Sequence, residues 1–347
     1  MREKIKYLLA DFEKSTIKEK KEDLNLKQAP LKVVRNSCIR LHYELFHLHV
    51  AIPKVLGKEL SFIASKKCLE NIQQSNIFIK ENFPNHVFTV NGKSVHNVKM
   101  PSDSYICRIT AVCALPDGQV LVADYYNRRV KLLNQQYRVV SHLDVRVRPL
   151  DMCQITPTEA AVAMSNKEVQ FITVSQSQLA KGRKLKLQHY CAGIAHNQGD
   201  LYICSGTALY KFTLSGELVC RLYEDSSADL TVWKCAVSPT GDRLYIISWD
   251  QRKLLTLARD GTLLATYTDP ALSGPRGLHV TPAGQVLVCD YLSYTVLQVD
   301  REGESKLANL ATLEDGVSYP WSVCYSSTTS SIIVGLWDDN ILVFRVE

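Results

Sequence analysis

Two stretches, PDGQVLVADY (Pro116–Tyr125) and PAGQVLVCDY (Pro282–Tyr291), are nearly the same ten residues written 166 positions apart. Each places turn residues ahead of an apolar, β-prone run and closes on an aspartate. The sequence between them repeats more faintly. With Gly118 as phase marker, equivalent turns fall near Glu159, Gly199, Gly241, Gly284 and Ser330, in steps of 41, 40, 42, 43 and 46 residues. Every marker leads into a short run (QVLVA, AAVAM, DLYIC, DRLYII, QVLVC, SIIVG), and after a loop a second run follows (RVKLL, EVQFI, ALYKF, KLLTL, TVLQV, ILVF). Another apolar stretch precedes several markers, as in TAVCAL, WKCAV and WSVCY. Three or four strands per unit of about 40 residues is the pattern of a propeller blade. Six units predict a mainly-β chain whose residues 86–347 form a six-bladed β-propeller.

Blade six ends at Glu347 directly after its third strand. The stretch KSVHNVKM (Lys93–Met100) alternates well enough to supply the missing outer strand. Strand 93–100 is therefore expected to pair with blade six and join the ends of the ring, leaving no unpaired edge.

VLVADYYNRRVKLL and VLVCDYLSYTVLQVDREG resemble NHL repeats, whose pattern is a hydrophobic strand, V-x-D, a short loop with Asn or Arg, and a second strand. The resemblance covers residues 86–347 and is strongest in blades one and five. The order of segments is similar to the C-terminal half of tripartite-motif proteins that carry NHL propellers. That resemblance implies a recognition module, and propellers of this kind bind both protein partners and single-stranded RNA.

Upstream, residues 1–83 are expected to be helical, over 2–28, 32–51 and 54–83, with breaks at Pro30 and Pro53. A heptad frame runs from Val34 to Phe83, and IASKKCLENIQQSNIFIKENF resembles the end of the coiled coil that precedes the propeller in this family. A homodimer through 34–83 is one outcome; a monomeric helical hairpin is the other. Residues 1–101 carry 18 Lys/Arg against 10 Asp/Glu, and residues 102–347 carry 23 against 25. The net +6 is thus +8 upstream and −2 over the propeller, which argues against bulk-charge binding of nucleic acid by the larger part.

Eleven cysteines without a C-x-x-C pair suggest reduced thiols, and no apolar run reaches the length of a membrane span. A cytoplasmic protein with no membrane contact is expected. A tripartite-motif ubiquitin ligase needs a RING finger, usually with a B-box, both built on closely spaced Cys and His zinc ligands. These residues contain no such set: Cys38 and Cys68 stand alone, and His42, His47 and His49 have no cysteine partners. Six-bladed hydrolases and lyases place metal ligands around the central channel. Among inner strands, only blade five is expected to offer a histidine, His279. Cys113, Cys153, Cys235 and Cys324 are on inner strands too. Counted from the following proline, Cys113 is offset by one from Cys153 and Cys235, which predicts opposite faces and a packing role. No catalytic residue, metal site or cofactor is expected; a metal-dependent hydrolase or lyase is the remote alternative.

What remains is binding, carried by the loops between second and third strands and those linking blades. Tyr125, Tyr190, Trp233, Trp249, Tyr291, Tyr319, Trp321 and Trp337 map there, interleaved with Arg128, Arg148, Arg252 and Arg276. Trp, Tyr and Arg are the residues that dominate protein-interaction hot spots, and they also stack and clamp single-stranded RNA. Trp233 and Trp321 are the two most open to a packing role between blades. Asp124 and Asp290 are expected to hold loop amides. The leading expectation is a non-catalytic recognition or scaffold protein, the partner- or substrate-binding half of a tripartite-motif ubiquitin-ligase-like protein; RNA binding by the same face is the alternative.

Overall fold

The computed structural model describes residues 86–347. The helical segment expected over 1–83, and the homodimer through 34–83, lie outside the described residues. Residues 86–347 form six four-stranded antiparallel sheets. Blades one to five occupy 109–144, 149–186, 193–224, 234–267 and 275–311; blade six occupies 320–346 plus one strand from earlier in the chain. This is the six-bladed β-propeller that the repeat predicts.

The second strands Val120–Asp124, Val286–Asp290 and Ser331–Leu336 are buried along their whole length. A strand covered on both faces has no polar side to show, which is why these runs read as unbroken apolar stretches. Outer strands alternate, as Val139–Asp144 does. On the outer strand Gln178–Lys186, the exposed Lys181, Lys184 and Lys186 blunt an open edge. The core of residues 86–347 is divided. Six apolar clusters each join two neighbouring blades: Leu121 and Leu132 of blade one meet Met152 and Val162 of blade two, and Val120 and Val122 meet Ile333 and Val343 of blade six.

The ring closes through strand Val90–Asn97, three residues upstream of the 93–100 window, which pairs antiparallel with Asn340–Val346 from Val90↔Val346 to Asn97↔Asn340. Thr89 and Glu347 exchange both backbone hydrogen bonds, at 3.0 and 3.1 Å. The lead-in is also clamped to blade five. The Gln298 amide donates to the His86 carbonyl (2.7 Å) and accepts from the Phe88 N–H (3.0 Å), while the Phe88 ring stacks on Tyr325.

At the axis, inner strands come close. A Cβ on Gly277 would lie 2.7 Å from Ser322 Cα, so only glycine fits there. Lys234 of blade four reaches across the centre. Its ammonium donates to the carbonyls of Thr110 (3.0 Å) and Leu150 (3.1 Å) and to Asp151 Oδ1 (2.6 Å), while Asp151 Oδ2 accepts the Ile194 N–H. Four blades thus meet at one buried ion pair.

The cysteines correct one expectation. Cys113 faces Leu121, Cys153 faces Ala161 and Cys324 faces Ile333, which are equivalent positions of three blades. A bulge between Gln154 and Thr156 absorbs the extra residue that the proline count took for a change of face. Only Cys235, opposite Ile246, is shifted. Burial pushes the thiols of Cys113, Cys153 and Cys324 up, Cys324 to about 11, so they pack uncharged at neutral pH.

Candidate functional site

The loops from second to third strands and the connectors between blades emerge at the same end of the ring. Asp124 and Asp290 set the geometry there. Both are fully buried. Asp290 accepts the N–H groups of Gly274, Leu292 and Ser293, at 2.7, 3.0 and 2.8 Å, so one carboxylate shapes its own loop and the preceding connector. Asp124 accepts the Arg108 N–H (3.2 Å) and the Asn127 side-chain amide (2.8 Å). The loop then leaves Asp124 through Tyr125, Tyr126 and Asn127 and turns back at Arg128, whose φ of 52° is left-handed; Arg252 takes the same conformation at φ 56°.

On this frame, guanidinium groups and aromatic rings alternate around the axis. Arg276 lies 3.3 Å from the centre of the Trp249 ring and 4.4 Å from that of Trp321. Arg108 covers Trp321 at 3.6 Å and Tyr125 at 4.5 Å, and Arg148 lies 4.9 Å from Tyr125. The series Trp249, Arg276, Trp321, Arg108, Tyr125, Arg148 therefore passes from blade four to blade two. Each such contact contributes about 0.5–2 kcal/mol, more where water is excluded. Beside it, Tyr291 stacks against Trp337 (5.9 Å) and contacts Tyr319 (5.1 Å) and Trp321 (5.2 Å), while Tyr294 meets Tyr319 edge-on.

Of the residues marked in the sequence, Arg128, Arg148, Arg252, Tyr319 and Trp337 are exposed, and Tyr125, Tyr190, Trp233, Trp249, Arg276 and Tyr291 are half-buried. Trp321 is 4% exposed and supports the face from beneath instead of presenting itself to a ligand. Trp233 lies 5.5 Å under Arg276 with its indole N–H buried and unpartnered. Tyr190 lies near Tyr125; burial, then that neighbour, raises its phenol. Arg252 makes no side-chain contact with the aromatic series among the described residues. Arg108, the centre of the arrangement, was not marked at all.

The electrostatics of the face are unusual. Among the described residues, none of Arg108, Arg128, Arg148 or Arg276 has a carboxylate partner. Arg108 Nε and Arg276 Nε are buried without a hydrogen bond. Burial, and then the charge of Arg108, pushes Arg276 down to about 10. The rim acids Asp250 and Asp338 are turned instead to the backbone N–H groups of Leu230 and Asp339.

One donor cluster among the described residues has metal-like geometry: Asp103, Cys107 and Asp124. The Lys131 ammonium occupies its centre, 2.6 Å from Asp103, 2.9 Å from Asp124 and 3.3 Å from the Cys107 sulfur, so the cluster already serves an internal cation. The inner strands hold two histidines, not one. His196 lies in Gly193–Asn197, with Nδ1 donating to the Gln154 carbonyl and Nε2 accepting the Gly199 N–H. Both ring nitrogens are used, which leaves none for a metal. His279 is held neutral by burial, its pKa pushed down to about 4.

Three curated relatives carry the name E3 ubiquitin-protein ligase TRIM56. The Bos taurus protein is 25% identical over 257 residues, and the Homo sapiens protein 23% over 257 residues. Both matches cover 72% of this chain, which spans about a third of the length of those relatives. No family model matches the chain. Among solved structures, virginiamycin B lyase from Staphylococcus aureus superposes with a TM-score of 0.56 at 9% identity, covering 75% of this chain and 99% of that one. A protein of unknown function from Bacteroides thetaiotaomicron gives 0.60 at 12%, covering 74% of this chain and 76% of that one. At such identities the likeness concerns the fold alone. No helix among the described residues is long and apolar enough to cross a membrane.

Proposed function

We propose that the propeller is a non-catalytic recognition module that binds a protein partner through the arginine–aromatic face, as the substrate-binding half of a cytoplasmic, tripartite-motif-like ubiquitin ligase would. The observation that carries this reading is the combination on one face of exposed Tyr319 and Trp337 with a preorganised support of Tyr291, Trp321 and Arg108. Rigid aromatic anchors lose little entropy on binding, which is what a hot spot needs. The similarity to TRIM56 proteins supports the ubiquitin setting, and the nine free cysteines of the described residues fit a reducing compartment.

RNA binding finds less support. The face of Trp249 nearest Arg276, and those of Tyr125 and Trp321 nearest Arg108, already carry guanidiniums, so stacking bases would have to displace them. A metal-dependent lyase reaction gains no support from the donors of the described residues, where Lys131 fills the one cluster and both ring nitrogens of His196 are bonded.

The test is quantitative affinity capture from cells with the full chain and a Tyr319→Ala/Trp337→Ala double variant, with thermal melts run alongside. Loss of two anchors costs about 2 kcal/mol or more each, enough to remove most of a captured partner. Equal recovery of every partner by a folded double variant would sink the assignment of this face.

A further inference from the structure

We propose that Arg128 and Arg148 form the docking point for an acidic, carboxylate-bearing peptide segment of the partner. This rests on the reading that the face binds protein, and it names the chemistry of what is bound.

The two arginines line an open pocket of about 500 Å³ between the Asp124–Arg129 loop and the connector into blade two, together with Ser102, Ser104 and Arg129. The three guanidiniums there differ in one respect. Arg129 is consumed internally: it donates to Asp103 (2.6 Å), Asp144 (2.8 Å) and the Ser102 hydroxyl (2.8 Å). Arg128 makes no side-chain hydrogen bond or ion pair among the described residues, and Arg148 donates only to the Tyr125 hydroxyl, at 3.1 Å. Behind them, Arg108 adds a third charge; among the described residues its guanidinium has one hydrogen bond, to the Tyr126 hydroxyl, and its Nε is buried and unpartnered.

Elsewhere this fold pairs its buried cations with care. Lys131 has two aspartates, and Lys234 has Asp151 and two carbonyls. Arg128 and Arg148 are exposed and carry no desolvation penalty of their own, but with the half-buried Arg108 behind them they gather three cations at one pocket with no carboxylate partner among the described residues, a local positive field that a bound anion complements. A carboxylate is the natural complement, because guanidinium takes it with two parallel hydrogen bonds. A peptide is favoured over a polynucleotide by the charge of residues 102–347, where 23 basic side chains face 25 acidic ones.

The test uses the full chain and three labelled probes: a twelve-residue Glu/Ser peptide, its Gln/Ser counterpart and a dodecamer of uridylate. The Glu peptide should bind with affinity that falls as salt rises, and the Gln peptide at least ten-fold more weakly. Arg128→Gln/Arg148→Gln should weaken the Glu peptide ten-fold or more with an unchanged melt. Arg138→Gln/Arg259→Gln, which removes the same charge from exposed turns at the opposite end of the ring, should leave binding as it was. Equal binding of the Glu and Gln peptides, an unaffected Arg128/Arg148 variant, equal loss in the Arg138/Arg259 variant, or tighter binding of uridylate would each overturn the inference. If the Tyr319/Trp337 variant still loses its partners while these probes fail, the docking chemistry is wrong and the recognition face stands.

Discussion

Lys131 shows how much one side chain can hold together. Fully buried, it bonds Asp103, Asp124, Cys107 and the Val98 carbonyl, joining the segment before blade one to the second and third strands of that blade. Burial opposes its charge, but Asp124 and Asp103 more than compensate and raise its pKa. Lys131→Met would leave two buried carboxylates facing each other, at a cost of about 3–5 kcal/mol. A urea titration of that variant should show a large fall in midpoint with little change in slope; a loss under 1 kcal/mol would mean that water reaches the cluster. Few of these partners are legible in the sequence, because Asp103 and Cys107 lie outside the repeat. The face was half legible for a related reason. Trp233, Arg276 and Trp321 occupy the same inner-strand position of three successive blades, as registering WKCAV, RGLHV and WSVCY on one another shows. Arg108 lies one residue before its strand, the position that Arg148, Gly274 and Tyr319 hold before theirs, so periodicity marks it only once that register is fixed.

Strands and turns obeyed the repeat wherever local chemistry was strong. Gly118 and Gly284 have φ of 82° and 92°, a region that glycine enters without strain, and both mark the turn as expected. Blade two has no such residue, so the phase marker there slid into strand Glu159–Met164, and the bulge after Gln154 misled the cysteine count for the same reason. A bulge leaves no sequence signature unless a glycine marks it. The strand Val90–Asn97 is the element whose loss should matter most. Removing residues 1–97 strips the partner from Asn340–Val346 and leaves the Gln298 amide unmatched. At about 2–4 °C per kcal/mol for a domain of this size, the loss of several kcal/mol should lower the melting temperature by roughly 10 °C. The bared edge should also drive concentration-dependent association in sedimentation runs. A monomer with an unaltered melt would show that the strand closes nothing of consequence.

For the molecule as a whole, pH is the informative variable. His279 titrates near 4 when folded and near 6.5 when unfolded, and His96, His189 and His196 are lowered in the same direction, chiefly by burial. Between those values the unfolded chain binds more protons, so stability is present above about 6.5 and is lost as pH falls toward 4. Asp151, raised by burial, has the opposite sign just above the ordinary carboxylate range, but it is one group against four. Thermal melts from pH 7 to 4 should fall steadily, and His279→Gln should flatten the slope by up to about 3 kcal/mol at its limit; a flat wild-type profile would contradict this. Six-fold architecture was the most legible feature of all, since blade number depends on counting repeats and not on any single residue. The seam of the ring has a mechanical meaning. Residues 89 and 347 leave the closing pair side by side, so tension applied between them loads the pairs in series, beginning at Val90↔Val346. The joint opens as a zip opens, one rung at a time.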